Sequence, residues 1–205
     1  MDENMKQFFK IYPGTAPLNV KGDYRCSVHY NNFRLEKAKE QGSLPIVEVN
    51  KIIKYVNDFL ISIGMNKEDS PRRNLHQIDY EEIKEDKKLK CEQDIIWMKF
   101  TTKGYLGVVA TSNDINFNIP ENKSEYNLKE WKYNEYKREK YLDWKYNSSG
   151  ILVHQLNQKW DTSFVLVFPL SNFPEGYKRG DIERAVGNYL IDKKVSIIDF
   201  YSHNY

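Results

Sequence analysis

The chain is short of the residues that staple a fold. It has two cysteines in 205 residues, Cys26 and Cys91. They make no CxxC pair and no metal-ligand spacing, which excludes a disulfide scaffold and a zinc ribbon. No stretch approaches the roughly 18 apolar residues that a membrane helix needs. The opening residues, MDENMKQFFKIYPG, lack the apolar core of a secretory signal. Net charge is also nearly absent, at +2. That balance argues against a strongly basic nucleic-acid-binding domain and against an acidic mimic of a phosphate backbone. We expect a cytoplasmic protein with reduced thiols and no membrane contact.

Sequence signatures of catalysis are missing too. There is no GxxxxGK[ST] phosphate loop, no GxGxxG dinucleotide fingerprint, no HExxH, no GxSxG and no deaminase zinc pattern. The histidines, at 29, 76, 154 and 203, are too scattered to set out a metal site. No cofactor is expected.

What the chain does have is aromatic rings. Its 15 Tyr, 10 Phe and 4 Trp make 14% of the residues. Such rings serve both cores and recognition surfaces. Hydrophobic content of 40% and charged content of 29% match a globular chain. At this length one domain buries about 70% of its unfolded surface. We read residues 1–205 as a single domain with an irregular segment over 1–45, where Pro13, Gly14, Pro17 and Gly22 punctuate the chain.

Periodicity then sets out the elements. YRCSVHY (24–30) alternates as a short strand, and 32–42 reads as a brief helix. In LPIVEVNKIIKYVNDFLISIG, Ile46, Val49, Ile52, Ile53, Val56, Phe59, Leu60 and Ile63 recur at helical spacing. Pro45 suits its first turn and Gly64 its stop. Residues 75–93 are charged and ambiguous between helix and strand. Residues 94–102 and 104–112 read as a hairpin turning at TKG, and 115–119 as a further strand. Residues 121–149 contain neither Pro nor Gly and allow a long helix. Residues 151–160 and 163–170 read as strands joined at KWDT. DIERAVGNYLIDKK (181–194) reads as a helix, with Asp181 as N-cap and Ile182, Ala185, Val186, Tyr189 and Leu190 inward. VSIIDFY (195–201) closes the chain as a strand. The expected fold class is α+β. It has a mixed, mainly antiparallel sheet of about five strands, helices packed on it, and a C-terminal βαβ unit.

Two constellations bear on function. The segment 131–144 interleaves Trp131, Tyr133, Tyr136, Tyr141 and Trp144 with Lys137, Arg138 and Lys140. Rings beside cations are the chemistry of a protein-binding hot spot and of a single-strand stacking platform. Glu135, Glu139 and Asp143 offset that charge, which favours a protein partner over a nucleic acid. The second constellation is His154, Asp161, Asp199 and His203. Gathered at one end of the sheet, they would offer acid–base or metal-assisted phosphoester chemistry. The leading expectation is a non-enzymatic macromolecule-binding protein, an accessory, inhibitor or immunity factor of a phage or mobile element. The alternative is a metal-dependent nuclease or phosphoesterase. The sequence does not fix the oligomeric state.

Overall fold

The computed structural model describes residues 1–10, 48–67, 77–79, 93–114, 159–161, 163–195 and 197–200. The expected elements at 24–30, 32–42, 115–119 and 121–149 lie outside the described residues, as does the expected strand at 151–160 except for its last two residues. Helix α1 is a single turn, Glu3–Lys6, followed by a 3₁₀ turn at Gln7–Phe9. Helix α2 spans Val49–Ser62 and helix α3 spans Arg179–Asp192. The strands are β1 Gln77–Asp79, β2 Gln93–Phe100, β3 Leu106–Asp114, β4 Phe164–Pro169 and β5 Ile197–Phe200.

The sheet runs in the order β1-β4-β2-β3-β5. β2 pairs antiparallel with both β3 and β4, so the three long strands form an antiparallel centre. β1 adds antiparallel to β4, and β5 adds parallel to β3. The class is α+β. β4 and β5 point the same way with α3 between them, and the crossover passes over β2 and β3 to reach its place.

Register sorts the residues of the sheet. On one face, Ile96, Met98, Phe100, Leu166 and Phe168 join Ile52, Val56, Phe59 and Leu60 of α2 in the core. Ile182, Ala185, Val186, Tyr189 and Leu190 of α3 join the same cluster. These are the faces that the helical spacing of α2 and α3 predicts. On the other face, Ile95, Lys99, Val108, Ala110, Val165 and Val167 are buried as well. Burial on both faces explains why β4 reads as an unbroken apolar run, FVLVFP, rather than an alternating one.

Four boundaries differ from expectation, each for a local reason. Helix α2 starts at Val49 rather than around Pro45, because Glu48 stands before it as an extended N-cap (ψ 121°). The β2–β3 hairpin turns across Thr101–Tyr105, because Tyr105 O accepts from the Thr101 N–H and Gly104 (φ 80°) donates to Thr101 O. Helix α3 is capped at Lys178 rather than Asp181. Asp181 lies one turn in, where its Oδ2 accepts from the Lys178 N–H at 2.9 Å. KWDT is not a chain reversal. Trp160 bridges antiparallel to Thr101, and Asp161 N–H donates to Phe100 O at 2.8 Å. Residues 159–161 therefore run along the same edge of β2 as β4 does. The Asp161 carboxylate accepts from the Ser163 N–H (2.8 Å) and hydroxyl (2.6 Å), an Asx turn that offsets the strand without reversing it.

Candidate functional site

A polar arrangement lies where β4 ends, β2 begins and α3 starts. Three residues there or bonded there adopt left-handed backbone: Asn66 (φ 40°), Asp94 (φ 58°) and Asn172 (φ 57°). Asn and Asp are the non-glycine residues that tolerate this conformation best. Two of the three carry hydrogen bonds that join the elements. Asn66 Nδ2 donates to Pro169 O at 2.6 Å, and its Oδ1 accepts from Ser171 Oγ at 2.8 Å. Asp94 O accepts from the Leu170 N–H at 2.8 Å. The Asp94 carboxylate also accepts from Arg179 Nη1 at 2.6 Å. Both partners of that pair are about one-third exposed, which limits it to roughly 1 kcal/mol or less.

One turn along α3, Glu183 enters the interior at 5% exposure. Its Oε2 accepts from Thr111 Oγ1 of β3 at 2.7 Å. A buried carboxylate is tolerated when donors hold it, and this bond fixes α3 to β3. Arg184 Nη2 donates to Asp181 Oδ1 at 2.9 Å on the same helix. The acids Asp94, Asp181 and Glu183 are thus each bonded to a donor of the scaffold.

A second cluster occupies the opposite face. Lys99, 3% exposed, places its Nζ 5.3 Å from the ring centre of Trp97 and 5.5 Å from that of Trp160. Trp97 Nε1 donates to Ser112 Oγ at 3.0 Å. The two rings compensate part of the desolvation of the ammonium group. Gly107 opens room for the second ring. A Cβ there would sit 2.2 Å from Trp160 Cζ3.

The residues singled out from sequence fall as follows. Trp131, Tyr133, Tyr136, Lys137, Arg138, Lys140, Tyr141 and Trp144 lie outside the described residues, as do His154 and His203. Asp161 forms the Asx turn beside Phe100. Asp199 lies in β5 opposite Val108, which in turn faces Lys99. Its end of β5 is therefore level with the middle of β3. Asp161 and Asp199 sit at similar heights but with β2 and β3 between them. Three strand intervals make a backbone separation of about 14 Å. Among the described residues, no group of three or more His, Cys, Asp or Glu could hold a metal ion. No helix among them is long and apolar enough to cross a membrane.

Sequence reasoning missed Asp94, Lys99, Arg179 and Glu183. For Lys99 a signal existed: in DIIWMKF, alternation puts Trp97 and Lys99 on the face opposite Ile96, Met98 and Phe100. For Glu183 the same holds, since it follows Ile182 directly on a strongly buried helix. Asp94 and Arg179 are 85 residues apart and carry no local mark. No protein-family model matches the chain, and no curated protein or solved structure matches it at a significant level.

Proposed function

We propose that the protein is a non-enzymatic binding protein that engages another macromolecule, with a protein as the favoured partner, through residues 131–144. The observation that carries this reading is the sequence of that segment: five Trp and Tyr rings interleaved with cations and acids over 14 residues. Rings of this kind supply most of the energy at protein contacts, and mixed charge supplies a selective rim. The described scaffold is consistent with it. Its large apolar side chains point inward, with Met1 and Ile191 the exposed ones among the described residues. A compact accessory, inhibitor or immunity factor of a phage or mobile element matches this profile.

The test is a triple variant, Trp131→Ala, Tyr136→Ala and Trp144→Ala, in the full chain. The expected outcome is loss of partner capture of at least ~30-fold, since two or more anchors at about 1–2 kcal/mol each are removed. The thermal transition stays within a few degrees of wild type. An unfolded variant would identify the rings as core and sink the proposal. The competing reading, metal-dependent cleavage of nucleic acid or another phosphoester through His154, Asp161, Asp199 and His203, makes its own prediction. Wild type would cut a nucleic-acid panel with Mg²⁺ or Mn²⁺, and His154→Ala would abolish cutting. We expect no cleavage by either chain.

A further inference from the structure

The first ten residues are held in a way that differs from the rest of the fold. Helix α1 has no fully buried residue, only Met5 packed partly buried against the core, and its polar bonds are local: Asn4 N–H donates to Asp2 Oδ1, and Lys6 pairs with Glu3. The attachment follows directly after it. Phe8 and Phe9 are both buried and belong to the same hydrophobic core cluster. Phe8 packs edge-on to Tyr189 at 5.2 Å and to Phe59 at 6.0 Å. Phe9 lies 4.2 Å from the ring of Tyr177 and 6.3 Å from that of Phe59. Two adjacent rings thus occupy one groove formed by α2, α3 and the loop that precedes α3.

Between the anchors and the next residue, Asn188 clamps the main chain. Its side chain is 2% exposed, and Nδ2 donates to Phe8 O at 2.9 Å and Lys10 O at 3.1 Å. A buried amide that reads two carbonyls of a passing segment, beside paired ring pockets, is how peptide grooves work. The Oδ1 of the same amide is buried without a hydrogen-bond partner. A ligand that offers it a main-chain N–H improves on what residues 1–10 supply.

We propose that the groove between α2 and α3 is a recognition site for peptide segments bearing two adjacent aromatic residues, and that residues 1–10 fill it as a latch. The ligand class follows from the occupant. It has two neighbouring rings, a main chain accessible to the Asn188 amide, and a charged, solvated turn ahead of the rings. A competing segment enters when the latch opens, and its apparent affinity falls by the fraction of time the latch is closed. This site is separate from the ring-rich segment at 131–144 and does not depend on it.

The probe is a fluorescein-labelled peptide, MDENMKQFFK, titrated by anisotropy into the full chain. The Phe8→Ala/Phe9→Ala variant is expected to bind it at least ~10-fold more tightly than wild type, whose tethered copy competes at millimolar effective concentration. Adding Asn188→Ala should remove at least ~5-fold of that affinity, since it removes the amide that donates to both Phe8 O and Lys10 O. The probe with both phenylalanines changed to alanine should not bind. A folded Phe8→Ala/Phe9→Ala chain that ignores the peptide overturns the proposal. So does a variant that fails to fold, because the rings are then indispensable core. Hydrogen exchange on wild type gives an independent reading. A latch opens on its own, so the Lys10 amide should exchange at least ~100-fold faster than the amides of Ala185–Leu190. Equal protection would show that the segment opens only with the whole fold, and would overturn the proposal as well.

Discussion

At the scale of single residues, two positions show how tightly the interior is fitted. Gly107 sits at the bulge where the β2–β3 register shifts, with Trp160 Cζ3 and Cη2 at 2.2 and 2.8 Å from an ideal Cβ and Lys99 O at 3.3 Å. No small adjustment accommodates a methyl group there. Gly107→Ala should cost about 2–3 kcal/mol of stability, read from the urea midpoint. Adding Trp160→Leu, which removes the obstructing ring, should make the double variant less destabilised than the sum of the two singles. Tyr189 presents a different constraint. Burial pushes its phenol above the usual value, with the nearby Lys193 ammonium pulling the other way. The folded chain therefore holds the neutral phenol more firmly than the unfolded chain does. That contribution is complete below about pH 10, the ordinary tyrosine value, and is lost as pH rises through the folded value. Tyr189→Phe, which cannot ionise, should flatten the loss of stability above about pH 10 in a series of urea melts. An unchanged alkaline slope would show that Tyr189 ionises as readily in the fold as outside it.

At the scale of elements, the two long helices end in the same way with different residues. After α2, Gly64 N–H donates to Ile61 O and Met65 N–H to Leu60 O; after α3, Lys194 N–H donates to Ile191 O and Val195 N–H to Leu190 O. Both are Schellman caps, and the first and last residues of each motif, Leu60 and Met65, Leu190 and Val195, are buried apolar residues. Gly64 has φ +86° with open space around it, whereas Lys194 carries a side chain at φ 64°. Lys194→Gly should therefore stabilise the fold by about 1 kcal/mol, and Gly64→Ala should destabilise it by a similar amount. Thermal melts of the two variants should move in opposite directions. The helices themselves were legible in the sequence because burial of one face writes a 3.6-residue period into Ile52, Val56, Phe59, Ile182, Val186 and Tyr189. The Gly64 stop was legible and the Lys194 stop was not, since only glycine signals its conformation by type. The Lys178 cap was hidden because the residue doing the capping, Asp181, stands three places further on. β1 gave no period at all, as a three-residue edge strand is too short to show one.

At the scale of the whole molecule, the ties that join distant parts are side-chain bonds that no local pattern encodes. Arg179 to Asp94 spans 85 residues, Glu183 to Thr111 spans 72, and Asn188 to Phe8 spans 180. A pattern of apolar residues says which face turns inward, but not which polar side chain meets which across the layers. That is why the strands and helices could be read and the polar cluster at the end of β4 could not. Asn66 is the clearest of these ties. It follows the cap of α2, is buried, and binds both Pro169 and Ser171 at the end of β4. Helix layer and sheet are thus linked by one amide held at φ 40°. Asn66→Ala leaves the Pro169 carbonyl without this donor and adds backbone strain, and should cost about 2–4 kcal/mol. Asn66→Gly removes the amide but relieves the strain, so it should recover about 1 kcal/mol relative to alanine. Because the tie crosses layers, far-UV circular dichroism, which follows the helices, and tryptophan fluorescence, which includes Trp97 and Trp160 of the sheet, should shift together in urea. A midpoint that moves by one probe alone would mean that Asn66 secures only a loop, and that helix layer and sheet hold together without it.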